Sequence, residues 1–236
     1  MTGRQRKLVI TATLLVTLLS LISVSRSICG GRPKRDYGPS KLVGQVIAEE
    51  TCKLLGDRGD VVVLAGDAGA QRAQLSALRK VLKGKPAIHI LAIRELKSEE
   101  IGLAAVRGQI PWRLFRQALE QNPTSKALIS LLGPPEMTPE AYEEISRRSI
   151  RLVVFAPMGI GIKDLLADDV VQVAVVPRMG ATAPMPNIAA PAMPVASSSP
   201  ERARFDAQYL VLTPSSNLSA FSEPVPPPLP PQNRPK

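Results

Sequence analysis

Apolar and polar positions alternate along the chain in a repeating series of short aliphatic runs and longer mixed segments. Five runs rich in Val, Ile and Leu stand out: 60–65, 87–93, 127–132, 150–155 and 170–176. Each breaks into glycine, proline or charged residues. Near-continuous aliphatic runs of this length predict strands buried on both faces, as in a parallel sheet. The segments between them carry helical spacing. Over 41–55, Val43, Ile47, Ala48, Thr51, Leu54 and Leu55 share one side and Gln45, Glu49 and Lys53 the other, until Gly56 and Gly59 stop the helix. Over 70–83, Leu75, Leu78 and Leu82 face inward, Arg72, Ser76, Arg79 and Lys83 face water, and Gly84 and Pro86 end the run.

The second half repeats the pattern. Residues 98–109 are ambiguous, with a short helix placed near 99–106. Pro111 opens a helix whose apolar face is Leu114, Phe115, Ala118 and Leu119, and Trp112 near its start is read as cover for the sheet. Thr138-Pro139-Glu140 is a helix start with a capping hydroxyl, a proline at the first position and an acid in the first turn. Glu143/Arg147 and Glu144/Arg148 are spaced as i,i+4 pairs on its exposed face. A short helix spans 162–167. Strands alternating with helices predict an α/β fold, a five-stranded parallel sheet in a Rossmann-like three-layer lobe with right-handed crossovers. The folded domain is set at 41–180.

The ends differ from this middle. Leu8 to Val24 has no charged residue and is mostly apolar. As a helix at ~1.5 Å per residue it reaches about 26 Å, close to a hydrocarbon core. It is read as a transmembrane helix within a segment 1–28. A cleaved signal peptide is the alternative, and both place the rest of the chain outside the cytoplasm. Residues 29–40 form a linker. From Pro177 onward fourteen of the 23 prolines occur. Residues 181–236 are accordingly read as a disordered, proline-rich linker and tail. Within the tail, 202–213 holds Phe205, Tyr209, Leu210, Val211 and Leu212, enough for a short helix or strand that returns to the domain. Pro227-Pro228-Leu229-Pro230 fits the minimal pattern of proline-binding domains, with a solvated spacer as the plainer alternative. Asn217-Leu218-Ser219 is a glycosylation sequon only in a eukaryotic secretory route.

Charge and composition refine the picture. The net charge of +10 is unevenly spread: residues 1–41 hold eight Lys and Arg against one acid, residues 42–178 eighteen against sixteen, and residues 179–236 four against three. The excess therefore flanks the apolar segment, where basic residues meet anionic headgroups, and argues against nucleic-acid binding. Aromatic residues make up only 3% of the chain, so the core must be aliphatic. Cys52 lies within a helix and is read as a small buried hydrophobe, with a bridge to Cys29 as the alternative.

No motif specifies a reaction. Gly66-Asp-Ala-Gly-Ala-Gln-Arg lacks the ending of a phosphate loop, and Gly159-Ile-Gly161 lacks the third glycine of a dinucleotide fingerprint. No cofactor is called for. With one histidine, His89, and two distant cysteines there is no zinc pattern, and His89 within a strand is read as structural. No serine sits in a nucleophile elbow. What remains is placement: open parallel sheets bind ligands beyond the carboxyl ends of their strands. Those ends supply Gly66, Asp67, Gly69, Arg94, Glu136 and Arg178 as ligand-binding candidates. Asp67 leads, because the glycines beside it let a ligand approach the backbone.

The order of pieces resembles a known family. Tyr37-Gly38, Gly44-Gln-Val-Ile-Ala-Glu-Glu-Thr-Cys-Lys-Leu-Leu-Gly, Gly59-Asp-Val-Val-Val-Leu-Ala-Gly and Ala70-Gln-Arg resemble the opening of the second lobe of type 1 periplasmic binding proteins, the sugar binders related to LacI-like ligand domains. Leu152-Val-Val-Phe and the run from Leu165 to Gly180 are similar to the later part of that lobe. The resemblance covers about residues 37–180. It implies the lobe's fold and a ligand at its carboxyl edge. The departures are specific: the family closes two lobes around its ligand and this sequence has room for one. Where sugar binders usually carry Asn-Asp or a similar pair after the third strand, Leu132-Gly133-Pro134 stands here, and Ala156-Pro157 stands where they usually carry an aspartate after the fourth.

Together these features predict a membrane-anchored, extracytoplasmic domain without catalytic activity that binds a small molecule or a protein at the strand carboxyl edge. An envelope hydrolase or transferase using Asp67 and Glu136 and a structural envelope component are the alternatives.

Overall fold

In the computed structural model the described residues are 36–56, 58–101, 108–178 and 199–216. The expected membrane segment, Cys29, the linker at 181–198, the sequon and the proline-rich tail lie outside them. Among the described residues no helix is long and apolar enough to cross a membrane. Every helix and strand of the described residues lies within the unit Tyr37–Lys236.

The elements in chain order are α1 (Gly38–Leu55), β1 (Gly59–Gly66), α2 (Gly69–Lys83), β2 (Ile88–Leu96), α3 (Ser98–Ile101), α4 (Trp112–Gln121), β3 (Ala127–Ser130), α5 (Pro139–Arg148), β4 (Arg151–Phe155), α6 (Ile162–Ala167), β5 (Val173–Pro177), α7 (Pro200–Gln208) and β6 (Tyr209–Leu212). They form one sheet with strand order β2-β1-β3-β4-β5-β6. The ladders from β2 through β5 are parallel, as the aliphatic runs predict. The sheet has six strands rather than the expected five, and it is mixed, because β6 pairs antiparallel with β5. The reason lies in 202–213, which supplies both elements left open by the sequence: α7 packs Phe205 into the core and the chain then turns straight into β6.

Two apolar layers sandwich the sheet. On one face Val61, Val63, Ile129 and Val175 meet Val43 and Ile47 of α1, Leu75 and Leu78 of α2 and Phe205 of α7. On the other, Val62, Leu64, Leu152 and Val154 meet Phe115 and Leu119 of α4, Ile145 of α5 and Leu166 of α6. Trp112 covers the sheet on this second face and stacks on Phe115, ring centres 6.2 Å apart. Alternate side chains of one strand thus serve opposite layers, which is why the runs show no polar alternation.

Several local details depart from expectation. Pro39, in the first turn, lets α1 begin three residues before the expected start. Thr138 caps α5 as predicted, its hydroxyl oxygen accepting from the Ala141 N–H at 3.3 Å. Glu144, however, does not lie on an exposed face. It is buried between helices, where its carboxylate takes Arg116 of α4 at 3.1 Å and Arg148 at 2.9 Å. His89 sits exposed on the edge strand β2 instead of in a satisfied interior.

Helices α1 and α2 approach each other almost backbone to backbone. A methyl group added at Gly44 would land on the Gln74 carbonyl oxygen, 2.7 Å from that carbonyl carbon and 2.8 Å from Gln74 Cα. The hydroxyl of Tyr37, just before α1, lies over Gly69, the first residue of α2. The two helices therefore run the same way, with both N-termini at the carboxyl end of β1.

Candidate functional site

Strand order decides where this sheet opens. From β1 the chain turns outward to β2, then crosses back to β3 on the other side. The crevice of an open α/β sheet lies at such a reversal, beyond the carboxyl ends of the two strands that flank it. Here those ends are Gly66 of β1 and the Leu131–Glu136 segment after β3, tied together by the Leu131 N–H donating to the Leu64 carbonyl at 2.9 Å.

Three of the six expected residues meet on the β1 side. Gly66 ends the strand, Asp67 is exposed on the loop, and Gly69 opens α2. The space over both glycines is already taken. A side chain at Gly66 would lie 2.9 Å from Leu132 Cδ2 and from Gln71 Cδ, and one at Gly69 would lie 2.5 Å from the Tyr37 hydroxyl. Asp67 and Ala68 are the exposed residues between these glycines, with Tyr37 beside Gly69 and Gln71 beside Gly66. No side chain caps α2 at Ala68, and its first turn holds no acid. The positive end of the helix is left for whatever approaches from the rim.

The β3 side of the rim is closed by the chain itself. Ile110 forms a parallel bridge with Pro135: its N–H donates to the Pro134 carbonyl at 2.8 Å, and the Glu136 N–H donates to the Ile110 carbonyl at 2.7 Å. Leu131 through Pro135 are all buried. Gly133, at φ +136°, adopts a conformation that favours glycine, and a methyl there would lie 3.0 Å from the Gly108 carbonyl carbon. Gly108 in turn faces Met158 of the loop after β4. Glu136 emerges from this packing exposed.

Two further candidates are engaged elsewhere. Arg94 lies inside β2, in register with Leu64, because the strand runs on to Leu96. Its guanidinium is 3.6 Å from Glu100. The Lys97 N–H donates to the same carboxylate at 2.9 Å, and this bond, with Arg94 adding to it, holds the Glu100 carboxyl below its usual range. Arg178 follows β5, but its Nε donates to the Asp206 carbonyl at 2.7 Å and its N–H to the Gln208 carbonyl at 2.8 Å, fastening α7 to the sheet. Sequence reasoning missed Tyr37, Gln71 and the 108–111 crossing. Tyr37 and Gln71 stood within the segments that carry the family resemblance, and the Gly108-Gln-Ile-Pro111 turn carried a glycine and a proline. Among the described residues no cluster of His, Cys, Asp and Glu is placed to hold a metal ion.

No family model matches the sequence, and no curated protein matches it. Solved structures do. The arabinose-binding protein AraP from Geobacillus stearothermophilus aligns at 16% identity and a TM-score of 0.46, over 58% of this chain and 45% of that one. A solute-binding protein from Burkholderia graminis C4D1M in complex with D-arabinose aligns at 19% and 0.47, over 58% and 47%. One from Bacillus halodurans C-125 with bound myo-inositol aligns at 15% and 0.45, over 58% and 46%. The chain thus spans less than half the length of these proteins. These are the structures to which the chain is similar, each over a little more than half of its own length.

Proposed function

We propose that this protein is a non-catalytic binding domain, held outside the cytoplasm by Leu8–Val24, that takes a neutral polyhydroxyl ligand at the β1/β3 reversal. One observation carries the reading: the exposed Asp67 carboxylate stands beside the uncapped end of α2 at the point where strand order reverses. A carboxylate accepts hydrogen bonds from hydroxyls, while helix N–H groups donate to their oxygens. A polyol offers both; an anion would be repelled by Asp67. Tyr37 and Gln71 add a hydroxyl and an amide on the same side. The anchor rests on the uncharged Leu8–Val24 stretch and its basic flanks.

The test is calorimetric titration and thermal melting of the full chain with a panel of free monosaccharides, inositols and linear polyols. A ligand at about 100 times its Kd adds roughly 2.7 kcal/mol of stability. At least one member should raise the melting temperature, and Asp67→Ala should abolish that rise while leaving the unliganded melt unchanged. A silent panel, or an Asp67→Ala protein that binds as well as the parent, would overturn the reading. Fractionation with N-terminal mapping of the mature protein tests the anchor: a membrane-bound chain retaining Leu8–Val24 supports it, and a soluble chain that has lost those residues contradicts it.

A further inference from the structure

The outer edge of β2 and the flank of α2 beside it carry features that the rim does not use. Among the described residues β2 pairs with β1 alone, so its other side is a sheet edge. It is nine residues long. An edge of that length presents a row of backbone donors and acceptors, the template on which another strand can pair. The strand is bulged: Val61 faces Ile90 and Val62 faces Ala92, leaving Leu91 as the extra residue. Ile88 and Ile90 before the bulge and Ile93 after it all turn to the α2 face, where Ile90 and Ile93 are half-buried. Leu91 itself is 40% exposed.

Beside this apolar row runs a strip of cations. Arg72, Arg79, Lys80 and Lys83 project from α2, exposed and without an ion-pair partner among the described residues. Glu95 is the one acid among the residues lining that flank. A groove of about 700 Å³ joins the two features, bounded by Arg79, Leu82, Lys83 and the β2 residues from Ile88 to Ile93.

We propose that the β2 edge and the α2 flank form a docking groove for an extended segment of another protein in which acidic and apolar residues alternate, added to the sheet as a strand beside β2. Each element of the groove selects part of that description. The open edge calls for an extended backbone. Ala92, which packs in the opposite layer beside the exposed Leu91, calls for apolar side chains on the face of the incoming strand away from α2. The four unpaired cations call for carboxylates. A second copy of this chain fits poorly, because two-fold pairing of β2 edges would bring the same cations together. Nor do the chain's own remaining segments supply the charge: residues 1–35, 102–107, 179–198 and 217–236 hold a single acid, Glu223. A lipid surface would attract the cations but leave the backbone row of β2 unpaired.

The test uses the full chain in phosphatidylcholine nanodiscs and a fluorescein-labelled peptide of alternating glutamate and valine, read by anisotropy. The peptide should bind, and amide exchange across β2 should slow. The double variant Lys80→Glu, Lys83→Glu should weaken binding by about tenfold. Replacing the valines by N-methylvaline, which keeps the charge but removes strand pairing, should weaken it by about tenfold or more. That second comparison needs no protein variant. Equal binding of the N-methylated peptide would reduce the groove to simple charge attraction and overturn the proposal. So would absence of binding, or slowed exchange at α2 in phosphatidylserine nanodiscs with none caused by the peptide, which would mark a membrane face.

Discussion

Gly44→Ala should destabilise the protein, although glycine in a helix interior is ordinarily a weakness. On an open helix face the change stabilises by up to about 1 kcal/mol. Here the added methyl meets the backbone of Gln74, not a movable side chain, at 2.7 Å from its carbonyl carbon. Clearing the carbonyl carbon alone requires α1 and α2 to part by about 0.8 Å, clearing the nearer oxygen requires more, and a gap of even about 0.5–1 Å forfeits roughly a quarter to a half of the attraction between facing atoms. The side chains at stake include Val43, Ile47, Leu75 and Leu78, all buried in one cluster. Overpacking of this kind costs about 1–3 kcal/mol, and the rigid partner puts Gly44 at the upper end. Net of the propensity gain, a loss of about 2 kcal/mol remains. That corresponds to roughly 4–8 °C in melting temperature for a domain of this size. Thermal and urea melts of Gly44→Ala beside the parent measure it. A variant as stable as the parent, or more so, would refute the close crossing of α1 and α2.

Gly133→Ala combines a left-handed backbone with a methyl against Gly108, and should cost about 2–3 kcal/mol in urea unfolding; a loss below about 0.5 kcal/mol would contradict the packing of the 108–111 crossing on the β3 loop. Glu144→Gln leaves Arg116 and Arg148 without their shared anion and should cost about 1–2 kcal/mol, discounted because Arg116 is partly exposed, whereas Glu143→Gln on the exposed neighbour should change little. Glu100 has a depressed folded-state pKa, so its contribution is present above the unfolded-state value and lost as pH falls through the lower folded one. The Lys97 amide shift should therefore titrate below the usual glutamate range by NMR and cease to titrate there in Glu100→Gln; a midpoint at the ordinary value would contradict the Lys97–Glu100 bond.

Much of the fold was legible because burial on both faces leaves a plain mark. Beyond their first two positions the runs at 60–65, 127–132 and 150–155 hold one polar residue, Ser130, and each became a central strand. β6 was ambiguous because Tyr209 to Leu212 is too short to show a period, and only pairing with β5 fixes it as a strand. The candidate site was legible by halves. Position after a strand put Gly66, Asp67 and Gly69 together at the carboxyl end of β1, where the structure has them. The same rule offered Arg178, whose partners at Asp206 and Gln208 lie across an alanine- and proline-rich stretch that no local pattern spans. It also offered Arg94, because β2 runs three residues past the end of its apolar run, to Leu96. Helical spacing put Glu144 outside, since its burial depends on where Arg116 of α4 arrives. The closure of the rim by 108–111 is a tertiary fact, hinted at locally only by a glycine and a proline.

The proposed binding function stands or falls on the β1/β3 reversal as the place where a ligand would meet the protein. Hydrogen exchange of the full chain, with and without a stabilising polyol from the panel, tests that placement residue by residue. Slowed exchange at Gly66–Gln71 and around Tyr37, with β2 unchanged, is the expected result. Protection confined to another part of the sheet, or none with any member of the panel, would contradict it.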